Sequence, residues 1–455
     1  MSRAAVVALI TLTGAMLLSL VLLAMLLFLG SEARAQPAEG TGGDVVPGQF
    51  IVALEDDVSP REAARDMSRR YDVQVSHVYE HALNGFAGSI SGGNLSAVRG
   101  DGRVRRVIPD RKVEAFEQTL PTGVDRIEGD TSSTQSGDGT GSVDTAVAII
   151  DTGIDVDHPD LNVVGGKNCS TGSSYDDGNG HGTHVAGTVA AKDDGAGVVG
   201  VAPGAPLYAV RVLDNTGSGT WASVICGIDW VTANAPANGG PIEAANMSLG
   251  GGGSDGSCTD GGLREAICNS VNRGVTYAVA AGNGGGDLKG FVPATYDEVL
   301  TVTAVADFNG QPGGGAAPTC RSDVDDTAAD FSNYPTVGSI DEGHTIAAPG
   351  VCIRSTWKGG GYNTISGTSM ASPHVAGAAA LCIATSATTG KCTGGPADVK
   401  ADLRADAANK SDPLVTPYYG YEGDPNDPIT KQVRKKRTIA TITLYYGYLA
   451  YRGDY

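Results

Sequence analysis

Three short segments carry residues able to do acid, base and nucleophilic chemistry. Asp151 directly follows an apolar run, residues 146–150, and opens Asp151-Thr152-Gly153-Ile154-Asp155. His181 lies between two glycines in Gly180-His181-Gly182-Thr183-His184-Val185-Ala186-Gly187. Ser369 stands in Gly367-Thr368-Ser369-Met370-Ala371-Ser372-Pro373-His374-Val375-Ala376-Gly377. Each has an ordinary structural reading. Aspartate before glycine often holds a turn, and serine ahead of an apolar helix often caps it. His181 could pack in a helix or pair with His184 on a metal, although the glutamate of an HExxH site is missing. Together they offer more. A hydroxyl is a poor nucleophile until a base takes its proton. A histidine can be that base, and a buried carboxylate can orient it and stabilise its charged form. The start of a buried helix also favours the negative charge such an attack develops. One lineage of such catalysts runs in the chain order Asp, His, Ser, as here.

These segments resemble the subtilases, the subtilisin family of serine endopeptidases. The resemblance rests on AIIDTGID around Asp151, HGTHVAGTVA from His181, and GTSMASPHVAG around Ser369. It covers about residues 120–420, while residues 48–115 resemble the family's inhibitory propeptide. It implies a doubly wound α/β fold with a mainly parallel central sheet. It implies peptide hydrolysis through an acyl-enzyme, with Asp151, His181 and Ser369 as the triad. By the same resemblance Asn283, in Ala281-Gly282-Asn283-Gly284, is the side-chain donor of the oxyanion hole, and the Ser369 N–H is the second donor. Ser248-Leu249-Gly250 and Gly217-Ser218-Gly219 match the two strands that flank an extended substrate. Such pairing reads main chain, so broad specificity is expected, with Trp221 either walling an apolar subsite or packing on its helix. Gly284 to Gly286 follow Asn283, so an uncharged or apolar residue is expected before the cleaved bond. The loop of residues 192–198 has the family's calcium-loop length. Asp160 and Asp194 match side-chain ligands, with the carbonyls of Lys192, Ala196 and Val198 completing the shell. Calcium suits mixed carboxylate and carbonyl oxygens; a solvated acidic turn is the other reading of this loop.

The elements that must position these residues follow from pattern. Residues 146–150, 207–213, 244–249, 275–280 and 299–305 read as short buried strands. Residues 181–191, 220–233, 263–273 and 375–383 read as helices between or after them. Alternation of this kind predicts a parallel sheet covered on both faces. Active residues then gather beyond the carboxyl ends of the strands. Upstream, residues 50–54, 73–79, 85–90 and 103–108 read as strands. A helix begins after Ser59, with Pro60 at its first position and Glu62 completing a capping box. Ala63, Met67 and Tyr71 give it a buried stripe. With a short helix at 94–98 the order is β-α-β-β-α-β, a small ferredoxin-like α+β unit.

Composition bounds the function. The 455 residues hold 32 Lys+Arg against 51 Asp+Glu, a net charge of -19, which argues against a nucleic-acid partner. The resemblance implies protein or peptide substrates instead, with the chain's own propeptide as intramolecular inhibitor, and a monomer is expected as the working unit. Residues 4–29 are almost wholly apolar and precede Ala33-Arg34-Ala35. They read as a secretory signal cleaved after Ala35, or alternatively as a retained membrane anchor. The expected domains are a signal at 1–35, a propeptide at 36–117, a catalytic domain at 118–423 and a tail at 424–455 with no role assigned. The tail could be an edge hairpin or a loose extension. Self-cleavage is expected between about Val113 and Pro121. All eight cysteines lie between Cys169 and Cys392, which suits disulfides in an exported protein. Short separations favour Cys258–Cys268 and Cys382–Cys392. Cys169–Cys226 and Cys320–Cys352 are then what remains, one of about 105 connectivities that eight cysteines allow. A secreted, self-processing endopeptidase is therefore the expectation. A membrane-anchored processing protease and a non-catalytic binding protein on this fold are the competing readings. The last should have lost one of Asp151, His181, Ser369 or Asn283, and the chain keeps all four.

Overall fold

The computed structural model describes residues 45–111, 118–384, 392–410, 430–434 and 441–451. The expected signal, the linker at 36–44 and most of the expected self-cleavage segment lie outside them. The chain divides into two units, Met1–Ala115 and Phe116–Tyr455.

The first unit runs β1 (Val45–Leu54), α1 (Pro60–Tyr71), β2 (Gln74–Tyr79), β3 (Gly85–Ser89), α2 (Gly92–Arg99) and β4 (Val104–Arg111). Its antiparallel sheet has the order β2-β3-β1-β4, the arrangement expected of a ferredoxin-like unit. Ala63 and Met67 of α1 are buried and Tyr71 is half-buried, all packed with Val52, Leu54 and Phe86. The capping box is absent. Ser59 sits at the N-cap and its carbonyl accepts from Ala63 N at 3.0 Å, but its side chain makes no capping bond. Pro60 already sets the backbone there, and Arg61 and Glu62 are exposed, so water can serve the free N–H groups.

The second unit opens with α3 (Thr122–Arg126). There follow β5 (Ala146–Asp151), β6 (Val163–Asn168), α4 (His181–Ala190), β7 (Leu207–Arg211), α5 (Trp221–Ala233), β8 (Ile242–Met247) and the short β9 (Gly251–Gly252). Then come α6 (Leu263–Val271), β10 (Thr276–Ala280), β11 (Phe291–Val292), β12 (Leu300–Ala306), β13 (Thr327–Ala328), β14 (Thr345–Pro349), β15 (Ile353–Trp357) and β16 (Gly361–Ile365). The unit ends with α7 (Thr368–Ile383), α8 (Pro396–Lys410), β17 (Thr430–Arg434) and β18 (Thr441–Tyr445). Parallel pairing gives the order β6-β7-β5-β8-β10-β12-β14, with β13 antiparallel beside the end of β12. This is the doubly wound, mainly parallel sheet expected.

Strand β5 shows why both faces are covered. Val147 and Ile149 join one cluster with Val185 of α4 and Val375 of α7. Ala148 and Ile150 join the other, with Ile228 of α5 and Ile267 of α6. Successive side chains point to opposite faces, so an unbroken apolar strand needs apolar cover on each side. The chain order reverses between β5 and β8, which makes a crevice at their carboxyl ends. Asp151 ends β5 and Ser248 follows β8.

Strands β6 and β14 were not visible in the pattern. The first is a Gly-rich edge, Val-Val-Gly-Gly-Lys-Asn, and the second is only Thr-Ile-Ala-Ala-Pro. In the tail, β17 and β18 form an antiparallel hairpin. Beyond it Leu449 bridges Ala347 of β14 in parallel. Ala347 N donates to Tyr448 O at 2.8 Å and Ala450 N donates to Ala347 O at 2.7 Å. Four disulfides join Cys169–Cys226, Cys258–Cys268, Cys320–Cys352 and Cys382–Cys392: the two pairs favoured by short separation and the two that then remained.

Candidate active site

Asp151 is fully buried at the end of β5. Its Oδ1 accepts from Thr152 N at 2.7 Å and from His181 Nδ1 at 2.7 Å. His181 is the first residue of α4, after Gly180 at φ 114°. A Cβ at position 180 would lie 2.4 Å from the Trp357 ring, so glycine is required on both backbone and packing grounds. With Nδ1 donating to the carboxylate, Nε2 is left as the basic nitrogen. Burial, the largest influence on this ring, disfavours its charged form. The charge and hydrogen bond of Asp151, with the charge of Asp177, outweigh burial and raise its pKa above the ordinary histidine value.

His184 takes no part in a metal pair with His181. Its ring is fully buried, Nε2 donates to Ile353 O at 3.0 Å, and burial pushes its pKa down to about 3.

Ser369 is the second residue of α7, where a backbone N–H has no intrahelical acceptor. Its Oγ donates to Ser248 O at 3.2 Å, and no hydrogen bond joins it to the His181 ring. Its carbonyl accepts from Ser248 Oγ at 2.7 Å. Pro373, four residues on, has no N–H to give that carbonyl, so the serine supplies the missing donor. Ser248 Oγ in turn accepts from Asn246 Nδ2 at 2.8 Å and lies 2.9 Å from Ser372 Oγ. Met370 is buried in the core beneath this turn.

Asn283 is exposed on the turn after β10. Its Oδ1 accepts from both Thr368 N and Thr368 Oγ1 at 2.9 Å. The amide oxygen is therefore committed, and Nδ2 is the atom left to donate. Thr368 was not singled out in the sequence, although it immediately precedes Ser369.

His181 borders a cleft of about 830 Å³ that is also lined by Gly217, Ser218, Gly219, Trp221, Ser248, Leu249 and Gly250. Ser248 to Gly250 lie just beyond β8, so that strand ends two residues earlier than its pattern suggested. Gly217 to Gly219 are not a strand. Asp214 N donates to Ser218 O at 2.8 Å and Gly217 N to Asp214 O at 3.0 Å, closing a tight turn. Glycine 217 holds φ at 79°, and this exposed turn forms the other rim.

The candidate cation loop is compact. Asp160 is buried, its Oδ2 accepts from Val198 N at 3.0 Å, and its carbonyl accepts from Lys192 N at 2.9 Å. Burial, opposed by the Val198 N–H and reinforced by the Asp194 charge, pushes its carboxyl up to about 6. Asp194 Oδ1 accepts from Ala196 N at 3.2 Å. Gln118, missed in the sequence, reaches in from the start of the unit. Its Nε2 donates to Lys192 O at 2.9 Å, while its Oε1 is buried with no partner. An orphaned amide oxygen beside two carboxylates and several carbonyls is a hard-oxygen donor set that fits calcium. No signal in the sequence marked a glutamine 74 residues upstream of its partner.

Asp151 with its His181 partner ends β5, and Ser248, bonded to Ser369, follows β8, so these residues lie at the carboxyl-end crevice of the sheet. Residues 142–421 match the Subtilase family, and residues 49–116 match the Peptidase inhibitor I9 family. The chain belongs to the subtilase family and is a serine endopeptidase preceded by an I9-type propeptide domain. It is 40% identical over 308 residues to Subtilisin DY of Bacillus licheniformis, covering 67% of this chain and 96% of that protein. It is 38% identical over 336 residues to a thermostable alkaline protease of Halalkalibacterium halodurans, covering 73% and 80%. Among solved structures, a cold adapted subtilisin-like serine proteinase is 32% identical, with a TM-score of 0.45, covering 66% of this chain and 87% of that one. No helix among the described residues is long and apolar enough to cross a membrane; residues 4–29 lie outside them.

Proposed function

We propose that this chain is an exported, self-processing zymogen whose second unit cleaves extended protein segments with Ser369, His181 and Asp151 as its triad. The observation that carries the reading is the 2.7 Å bond from His181 Nδ1 to the buried Asp151 carboxylate. It leaves Nε2 basic in a ring that borders the cleft. For reaction, the Ser369 hydroxyl turns from Ser248 O to His181 Nε2 and gives up its proton as Oγ attacks the scissile carbonyl carbon. The imidazolium so formed is stabilised by Asp151. The oxyanion is met by Asn283 Nδ2 and the Ser369 N–H. His181 then protonates the leaving amine, and water, deprotonated by the same nitrogen, releases the acyl group.

Substrate lies along Ser248 to Gly250 and the 217–219 turn, with Trp221 at one wall. Asp160, Asp194, Gln118 Oε1 and the carbonyls of Lys192, Ala196 and Val198 would hold a calcium ion, which would cross-link the loop. The I9-type unit is the intramolecular inhibitor, and the mature enzyme is a monomer. A serine-directed fluorophosphonate probe tests the reading. It should label the mature protein and not Ser369→Ala, and mass spectrometry should find a new terminus between about Val113 and Pro121 only where Ser369 is present. Equal labelling of both proteins would overturn it.

A further inference from the structure

We infer that Asp177 is a positioning residue that holds the Asp151–His181 pair in register; the inference rests on the triad proposed above. Asp177 is 6% exposed, and among the described residues no Lys, Arg or His forms an ion pair with it. Its charge is met instead by five short hydrogen bonds. Oδ1 accepts from Thr152 Oγ1, Asn179 N and Gly180 N, each at 2.9 Å. Oδ2 accepts from Thr183 N at 2.9 Å and Thr183 Oγ1 at 2.6 Å.

The donors come from both sides of the pair. Thr152 adjoins Asp151 at the end of β5, and its N–H is on the Asp151 carboxylate. Gly180, the N-cap of α4, directly precedes His181, and Thr183 is in the first turn of that helix. Thr152 Oγ1 also accepts from Gly182 N at 2.9 Å. A Cβ at Gly182 would stand 2.1 Å from Gly153 O, which shows how closely helix and strand end are drawn together. One carboxylate thus joins the residue after Asp151 to the residues on either side of His181. A turn aspartate satisfying only its own loop would not bind Thr152 Oγ1 across 25 positions.

The same placement puts a carboxylate that forms no ion pair among the described residues at the helix end that bears His181. Other charged groups lie near this helix end: Arg211 of β7, beside Asp151 in the sheet, donates to Asp176 O at 2.8 Å, and Asp155 N donates to Thr183 Oγ1 at 2.9 Å. Asp151 comes from β5, and His184 lies one turn along. His374 faces His184 from α7. Lys358, after β15, donates to Gly178 O at 2.6 Å. Arg354 of β15 lies over the Tyr362 ring. Removing Asp177's charge therefore removes one of two carboxylates that favour the imidazolium, and the pKa of His181 should fall.

The test uses the full-length chain with Ser369→Ala as the control. Asp177→Asn should lower kcat on the order of 10- to 100-fold, the scale of a small misplacement at a reacting centre, with KM little changed. It should also move the acid limb of the kcat profile to lower pH. Asp177→Glu should lower kcat while leaving that limb near the parental position, because the charge is kept and the geometry is not. A merely structural role would lower active protein without moving the limb. If Asp177→Asn melts cooperatively and keeps the parental limb, the inference is wrong. Where Asp177→Asn does not fold, Thr152→Val decides. It keeps the carboxylate and removes one donor, so a several-fold fall in kcat at constant KM supports the clamp and a parental kcat overturns it. If Ser369→Ala keeps full activity, the triad itself has failed, which none of the Asp177 outcomes would produce.

Discussion

Ser248 Oγ donates to the main-chain carbonyl of Ser369 at 2.7 Å, filling the place of the helical N–H that Pro373 lacks. The pair is reciprocal, since Ser369 Oγ donates to Ser248 O at 3.2 Å. The loop after β8 and the first turn of α7 are thereby locked together. The side that borders the cleft is tied to the side that bears Ser369, the proposed nucleophile. Ser248→Ala should leave the Ser369 carbonyl and Asn246 Nδ2 short of a partner. A buried polar group so orphaned costs about 1–3 kcal/mol. Thermal unfolding and kcat should both fall, with kcat falling more than KM changes. A variant with parental melting temperature and kcat would show that the lock is dispensable.

That lock was half legible in the sequence. Pro373 six residues into a helix announces a carbonyl without its donor, but nothing announces that Ser248 is the donor. The same division runs through the molecule. The apolar run at 146–150, the buried helix after Ser369 and the stripe of Ala63 and Met67 are short-range patterns set by side-chain periodicity, and each element forms where its pattern lies. Gln118, Asp177 and the edge strand β14 depend on partners brought near only by the fold. The failed capping box at Ser59 is the converse case, since a local pattern was present and exposure to water made it unnecessary.

His181 is held above the ordinary histidine pKa of about 6.5 although burial opposes its charge, because Asp151 and Asp177 outweigh that burial. As the proposed base, His181 works only when neutral. Activity should therefore be lost as pH falls through the raised pKa, and the acid limb should lie above the ordinary value. The stability linked to this group runs the other way. Favouring the charged form in the fold, it is fully present below about 6.5 and is lost as pH rises through the folded pKa. A pH series of kcat with a parallel series of melting temperatures checks both signs. An acid limb below the ordinary histidine value would refute the assignment of the base.

Asn283 offers only its Nδ2, because Thr368 occupies its Oδ1 twice. A donor fixed before the reaction needs no reorganisation as charge develops, which is why such groups act on the transition state. Asn283→Ala should lower kcat by roughly 100- to 1000-fold with little change in KM. The Thr368 donors that lose their acceptor should also cost some thermal stability. Steady-state kinetics on a peptide substrate makes the check. A loss carried mainly by KM would mean that Asn283 holds the ground state instead.

Gln118 Oε1 is buried with no partner while its Nε2 bonds to Lys192 O, and Asp160 and Asp194 supply charge to the same proposed calcium loop. An ion that binds the folded chain and not the unfolded one stabilises it by mass action, about 2.7 kcal/mol when its free concentration is 100 times the dissociation constant. For a unit as long as Phe116–Tyr455, with an unfolding entropy of about 2.1 cal/mol/K per residue, that corresponds to roughly 4 °C in melting temperature. Calcium added to chelator-treated protein should therefore raise the transition, and magnesium should do so less, because the smaller ion demands a tighter octahedral shell. Gln118→Ala and Asp160→Asn should each weaken the calcium-dependent rise. Both residues lie outside the cleft, so a calcium titration of melting temperature reads the site without reference to turnover. If the parental protein melts at one temperature with calcium, with magnesium and with chelator, the loop is an acidic turn satisfied by water.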